Sequence, residues 1–350
     1  MAGVMSDRGS DATPLRGAFP VLPTPLDATG GLDLKSLWSL VERLSACQIS
    51  GLTVLGSGGE LPYLTLTERE EVVRTARSTA PDRFRLIVGL ACFGTVQAVE
   101  EARRMATAGA DALLVALPQY YATPIDGIIG RYEAITAAVE IPILYYHFPT
   151  VTHLRISQDD FVRLAERVPI AGTKESALST PELRSRVAKA PRPLSIFTGL
   201  SFNMLDALDG GAAGVICPVG VLMPDTTAQL LAAHAAGDRE QASAAQERLR
   251  RAIPLMGGGA LPEAVARFLL VNALRRAIPL PQGELPHAGI KHALSALGVI
   301  ASASVRPPQV GLTARRRARV AELAGELQEI SEPRSRTPSL ASAVGRARGG

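Results

Sequence analysis

Short apolar runs rich in β-favouring residues recur eight times along this chain, most of them followed by a stretch with helical spacing. The runs are Ala18–Leu22, Leu52–Leu55, Leu86–Leu90, Ala112–Ala116, Ile143–Tyr146, Ile170–Lys174, Ser195–Thr198 and Gly214–Cys217. Between them, Leu34–Leu44, Leu66–Ser78, Thr95–Ala108, Pro124–Val139 and Pro181–Lys189 carry the helical pattern. Strands apolar throughout fit burial on both faces, as in a parallel sheet covered by helices. Eight such units predict an α/β fold, a TIM (β/α)8 barrel over residues 15–225. A doubly wound sheet is the alternative, but no Gly-x-Gly-x-x-Gly follows an early strand.

No further β-rich run follows the eighth. Thr226–Ala236, Arg239–Ala252, Leu261–Leu274, His287–Leu297 and Leu312–Gln328 read as helices, with Thr313 able to cap the last. Residues 226–330 are thus expected to form a C-terminal helical domain. Residues 1–14 and 331–350, rich in Ser, Gly, Pro and charge, are expected to be disordered.

Charge and composition narrow the function. Residues 331–350 hold four arginines against one glutamate, so they supply +3 of the net charge of +4. The excess sits in a tail rather than on a folded face, which argues against nucleic acid as a partner. The longest uncharged apolar stretch, Gly210–Pro224, is broken by Gly and Pro and falls short of the about 20 residues that span a bilayer. The N-terminus shows no signal-peptide pattern, so a cytoplasmic protein without membrane contact is expected. Cys47, Cys92 and Cys217 are far apart and in apolar surroundings, which predicts buried reduced thiols and no zinc site.

Active groups of such a barrel sit at the C-terminal ends of its strands. Gly56-Ser57-Gly58-Gly59-Glu60 follows the second run. Its glycines let backbone N–H groups converge on an anion, or simply make a tight turn. It lacks the Lys-Ser/Thr ending of a nucleotide-binding loop. Lys174 ends the sixth run and is one of only four lysines among 37 cationic side chains. Burial lowers an amine's pKa and frees it to attack a ketone, which a guanidinium cannot do. The alternative is a lysine reaching out to water.

Tyr120-Tyr121 and Tyr145-Tyr146 hold four of the six tyrosines, at or just past strand ends. Each pair can move protons or merely pack, and strand alternation lets only one of Tyr145 and Tyr146 face inward. His147 and His153, with no carboxylate between them, make a poor metal site, so loop or packing roles are expected.

The spacing of GSGGE, PQYY, LYYHFP and GTKES resembles the dihydrodipicolinate synthase / N-acetylneuraminate lyase family of class I pyruvate-handling barrels. Thr24-Pro25 and Gly214-Val215-Ile216 also look like family positions, and the likeness runs over residues 16–328. The resemblance implies that Lys174 forms a Schiff base with pyruvate or another 2-oxo acid. It implies Tyr146 as general acid/base, Ser57 as a relay hydroxyl, and Tyr121 (or Tyr120) lent by a neighbouring subunit. Backbone N–H groups of Ser57 and Gly58 would hold the substrate carboxylate, with the Ile216 carbonyl near the ketone. It further implies a homotetramer built of dimers, and neither metal nor organic cofactor.

Departures from the family bear on the substrate. The synthases' carboxylate-gripping arginine corresponds to Val151, and the acidic pair of sialic acid lyases to the stretch Leu200-Ser201-Phe202. Gly58 stands where many members carry Thr or Asn. Glu60–Thr65 and Lys174-Glu175-Ser176 look more like 4-hydroxy-2-oxoglutarate aldolases, with Ser176 near the substrate. The expectation is an aldolase or lyase joining or separating pyruvate and an aldehyde, its substrate a small hydroxylated 2-oxo acid. Its rivals are a synthase acting on aspartate semialdehyde and a non-catalytic pyruvate-binding barrel.

Overall fold

The computed structural model describes residues 14–177, 180–257 and 287–331. Eight parallel strands form one sheet: β1 Gly17–Ala18, β2 Gly51–Val54, β3 Arg85–Ala91, β4 Ala112–Ala116, β5 Ile143–His147, β6 Gly172–Glu175, β7 Ser195–Thr198 and β8 Gly214–Val215. Neighbours along the sheet run β1-β8-β7-β6-β5-β4-β3-β2. A parallel bridge between Val21 and Thr53 brings the β1 and β2 ends together, which makes the sheet a (β/α)8 barrel. The first strand is shorter than the run Ala18–Leu22. Pro20 lacks an N–H and Leu22 donates to Thr53 O at 2.9 Å, so the ladder gives way to isolated bonds there.

The helices that surround the barrel are α1 Leu34–Ser45, α2 Leu66–Thr79, α3 Thr95–Ala108, α4 Ile125–Thr136, the single turn α5 Pro149–Thr152, α6 Gln158–Arg167, α7 Thr180–Lys189 and α8 Met204–Asp209. Three of them, α1, α2 and α6, start where short polar side chains cap them. Asp33 accepts from Ser36 N, Ser157 from Asp160 N, and Thr65 forms a reciprocal capping box with Glu68. Each helix turns its apolar stripe inward: Leu37, Leu40, Val41 and Leu44 of α1 are all buried.

Two apolar layers result. The larger lies between strands and helices; a smaller one fills the barrel interior with Phe19, Ile87, Leu114, Leu144, Phe197 and Ile216. The period of two along each strand separates them: Leu144 and Tyr146 point inward, Ile143 and Tyr145 outward. The expectation that one tyrosine of that pair faces inward therefore holds, with Tyr146 as the inward one.

Beyond the barrel come the single turn α9 Val219–Leu222, then α10 Pro224–Ala235, α11 Arg239–Arg250, the short α12 Ile253–Gly257, α13 His287–Ala296 and α14 Ala314–Ser331. Thr313 Oγ1 accepts from Arg316 N at 3.4 Å, the capping role read from the sequence. Gln246 of α11 bonds both Leu205 N and Ser201 O, which ties this helical appendix to the segment after β7. The helix expected over Leu261–Leu274 lies outside the described residues, as do the ends expected to be disordered except for Pro14 and Ser331. Among the described residues no helix is long and apolar enough to cross a membrane.

All three cysteines are free and buried. Burial, then the neighbouring Glu101 carboxylate, pushes the Cys92 thiol up to about 12; burial takes Cys47 and Cys217 to about 11. Iodoacetamide in mildly alkaline buffer should therefore leave the native chain unmodified and label all three sites once the chain is unfolded, read by mass spectrometry. Rapid native labelling of any one would contradict this packing.

Candidate active site

The register of β5 on β6 sets Tyr146 beside Lys174 and His147 beside Glu175. Alternation sends the first pair into the barrel and the second outward, so two polar pairs lie back to back at the C-terminal ends of the same two strands. Lys174 is 3% exposed, and its Nζ donates to Tyr146 Oη at 3.2 Å. The amine also lies 4.4 Å from the centroid of the Tyr146 ring, a cation–π distance when it is protonated. Phe148 stacks on that ring at 5.5 Å.

Ser57 Oγ lies 3.4 Å from Tyr146 Oη, so hydroxyl, phenol and amine form a continuous chain. Ser57 opens a single 3-10 turn, Ser57–Gly59. Two non-glycine residues with left-handed backbone bracket it, Leu55 at φ 55° and Glu60 at φ 57°. Such conformations persist only where their surroundings enforce them. The Thr24 hydroxyl donates to Gly59 O at 2.7 Å, and Leu55 O occupies the place a Cβ on Gly89 would need, 1.9 Å away. At Gly58 a Cβ would meet only Val21 Cγ1 at 3.6 Å, an ordinary contact, so the space of a larger side chain is left open there.

Behind the site, His147 Nδ1 lies 2.8 Å from Glu175 Oε2 and 2.9 Å from Arg186 Nη2. Arg186 Nε approaches Glu175 Oε1 at 3.1 Å, and the guanidinium rests over the Phe161 ring. Burial alone would raise the Glu175 pKa. The Arg186 charge, then the bonds from His147 and Thr173, outweigh it and hold the carboxyl below its usual range. His153 is exposed and ends α5, so the two histidines do not converge. Among the described residues no cluster of His, Cys, Asp and Glu could hold a metal ion.

The other expected site residues fall at the same barrel end with differing surroundings. Ser176 is buried just past β6, its N–H donating to His147 O at 2.9 Å. Ile216 is fully buried in the interior layer just past β8. Val151 lies on the α5 turn, partly exposed. Tyr120 and Tyr121 are not brought to Lys174: they are 79% and 78% exposed and pack edge-to-face on one another at 4.7 Å.

Three features escaped the sequence reading. One is the outward His147–Glu175–Arg186 cluster. The second is Lys291 on α13, fully buried and ion-paired to Glu60 of the glycine loop. Its scarcity as one of four lysines was the available signal. The third is Gly199, just past β7. A Cβ there would lie 2.2 Å from Ser176 Oγ and 2.8 Å from Lys174 Cε, so only glycine leaves the lysine its path.

A buried amine on a parallel barrel's sixth strand, touching a phenol that in turn meets a serine hydroxyl, is the arrangement of the Schiff-base aldolases and lyases that handle pyruvate. Residues 14–269 match the dihydrodipicolinate synthetase family, and the chain belongs to it; it is an enzyme of that lyase class. 4-Hydroxy-tetrahydrodipicolinate synthase 1 of Streptomyces coelicolor is 33% identical over 270 residues, 75% of this chain and 86% of that protein. YagE, a prophage protein of the dihydrodipicolinic acid synthase family from E. coli K12 solved with pyruvate, superposes with TM-score 0.77 at 25% identity. That alignment covers 90% of this chain and 99% of YagE. A dihydrodipicolinate synthase of Bacteroides thetaiotaomicron gives TM-score 0.76 at 26% identity, covering 89% and 99%.

Gly199→Ala tests the geometry. The atoms it displaces are side-chain ends, so the melting temperature should change little. Misplacement of the amine by about 1 Å should slow ketone-plus-borohydride labelling of Lys174 by about 10²-fold. Labelling at the wild-type rate would show that Gly199 does not shape the lysine's path.

Proposed function

We propose that this enzyme cleaves or forms a carbon–carbon bond between pyruvate and an aldehyde through an imine on Lys174. The substrate we assign is a small hydroxylated 2-oxo acid of the 4-hydroxy-2-oxoglutarate or 2-keto-3-deoxy acid type. The 3.2 Å contact between Lys174 Nζ and Tyr146 Oη in a buried strand-end site carries this reading.

In the cleavage direction, neutral Nζ attacks the ketone carbon, and the resulting carbinolamine loses its hydroxyl as water with a proton from Tyr146 Oη. The iminium withdraws electrons from the carbons beside it. The Tyr146 phenolate then takes the proton of the substrate's C4 hydroxyl, the C3–C4 bond breaks, and its electron pair moves into the iminium to give an enamine. The aldehyde departs, C3 is protonated, and water releases pyruvate and the free amine. One phenol at the imine serves each proton transfer in turn, a contribution of about 10²–10⁴-fold.

Ser57 is the next member of the proton path, and the Ser57 and Gly58 N–H groups receive the substrate carboxylate. The Ile216 carbonyl lies by the ketone end, and Ser176 contacts the hydroxylated portion. The exposed Tyr121, or Tyr120 beside it, completes the path in a neighbouring subunit of a dimer-of-dimers tetramer. A second reading, condensation of pyruvate with aspartate semialdehyde, is favoured by the relative in Streptomyces coelicolor, a 4-hydroxy-tetrahydrodipicolinate synthase. Val151 disfavours it, because an uncharged side chain cannot pair with that substrate's second carboxylate.

Pyruvate with borohydride should add one reduced pyruvyl group to the tryptic peptide 168–184, which contains Lys174. Lys174→Arg should be unlabelled and inactive, since a guanidinium stays protonated. A label on Lys35, Lys189 or Lys291, or none, would refute the mechanism.

The aldehyde assignment has its own test. Wild-type turnover of aspartate semialdehyde should be slight beside that of 4-hydroxy-2-oxo acids. Val151→Arg should raise it by about 10–100-fold, the worth of a charge-assisted carboxylate contact. Efficient condensation by the wild-type enzyme would move the assignment to the synthase.

A further inference from the structure

The loop that carries Ser57 and Gly58 is held from outside the barrel. Glu60 closes it with a left-handed backbone, and its side chain is 1% exposed. Both carboxylate oxygens are taken by the helical appendix. Lys291 Nζ of α13 pairs with Oε1, and the backbone N–H of Arg306 donates to Oε2 at 2.7 Å. Lys291 also donates to Ser304 O at 2.7 Å, so one ammonium joins α13, the 304–306 segment and the loop.

The same segment grips the residues that follow. The Arg306 guanidinium reaches Glu68 Oε1 at 2.9 Å and Gly30 O at 2.6 Å, and Gln309 Nε2 donates to Tyr63 Oη at 2.8 Å. Two buried, opposite charges packed this way are costly to desolvate, and an apolar pair would anchor the appendix at least as well. A carboxylate with two fixed partners does something an apolar contact cannot: it fixes the rotation of the residue that ends the loop. Glu60 N–H points back to Ser57 O at 3.4 Å, so that rotation is passed to the 3-10 turn.

We infer that Lys291 is a positioning residue for substrate-carboxylate recognition, acting through Glu60 on the Ser57–Gly58 backbone. The appendix thereby sets the affinity of a site that lies wholly on the barrel. This rests on the reading that those N–H groups bind the carboxylate of the 2-oxo acid.

The test compares two ketones, pyruvate and hydroxyacetone, the second of which has no carboxylate. Borohydride trapping on Lys174 is measured against the concentration of each for wild type, Lys291→Met and Glu60→Gln/Lys291→Met. The double change removes both charges and guards against misfolding around an unpaired Glu60. The half-saturating pyruvate concentration should rise about tenfold or more, with the plateau rate within about twofold. Trapping of hydroxyacetone should not change. Equal losses with both ketones would mean a merely structural tether, and unchanged pyruvate affinity would mean no role; either overturns the inference.

A second arm separates this claim from the imine chemistry. In a Lys174→Ala background, pyruvate should still raise the melting temperature, and adding Glu60→Gln/Lys291→Met should raise the pyruvate concentration needed for that shift by about tenfold or more. If wild type is never labelled but the shift behaves in this way, the Schiff-base reading falls and the Lys291 role stands. If the shift needs no more pyruvate after the added pair of changes, the Lys291 role falls even where labelling succeeds. Neither labelling nor a shift would refute both.

Discussion

The pairing of β5 with β6 is the constraint on which the site depends. A parallel ladder fixes Tyr146 against Lys174 and, one residue on, His147 against Glu175. Because side chains alternate, that single register places an acid–amine pair inside the barrel and an ionic pair outside it. A slip of one residue would exchange the two faces, burying His147 and Glu175 among the apolar residues of the interior. Arg186 from α7 joins the outer pair and so ties the helix layer to the strand ends. Removing one partner of such a buried group typically costs about 3–5 kcal/mol. The ends of β5 and β6 are therefore among the points where this barrel can least afford to move.

Features with a short period were legible in the sequence. Strand–helix alternation gave the barrel, and the period of two allowed only one of Tyr145 and Tyr146 to face inward, which the structure shows to be Tyr146. The scarcity of lysine picked out Lys174, because a buried amine is a different thing from a solvated cation. The same argument applied evenly would have reached Lys291. Of the four lysines, Lys35 and Lys189 are exposed, whereas Lys174 and Lys291 are buried. Nothing else in the sequence marks Lys291, which sits in a helix far along the chain from any strand end.

What stayed hidden depends on contacts between distant segments. Glu60 and Lys291 are 231 residues apart, and no local pattern links them. Glu60 also breaks a local rule, since a left-handed backbone favours Gly or Asn over a glutamate. Gly199 reads as an ordinary turn glycine until the Lys174 chain is seen to occupy the space of its missing Cβ. The β1 strand is shorter than its apolar run for a related reason: Val21 and Leu22 have strand-like composition, but Val21 N–H donates to Cys217 O and Leu22 N–H to Thr53 O as single bonds rather than a ladder. Exposure of Tyr121 is of the same kind, a property of the folded surface that composition does not carry.

On the proposed reaction, recognition of the substrate divides into two halves with different supports. In that reading the 2-oxo acid half meets Lys174, Tyr146 and the Ser57–Gly58 turn, each held by bonds from at least one other element. In the same reading the aldehyde half faces the segments after β5, β6 and β7, where Val151, Ser176 and Leu200 stand and where this chain differs from the synthases and sialic acid lyases it resembles. A side chain on the α5 turn or past β7 can change without disturbing the ladder that holds the amine. Rigidity where the imine forms and latitude where the second substrate binds are what let one barrel chemistry serve different aldehydes. They also explain why membership of the family fixes the reaction type while individual side chains fix the partner.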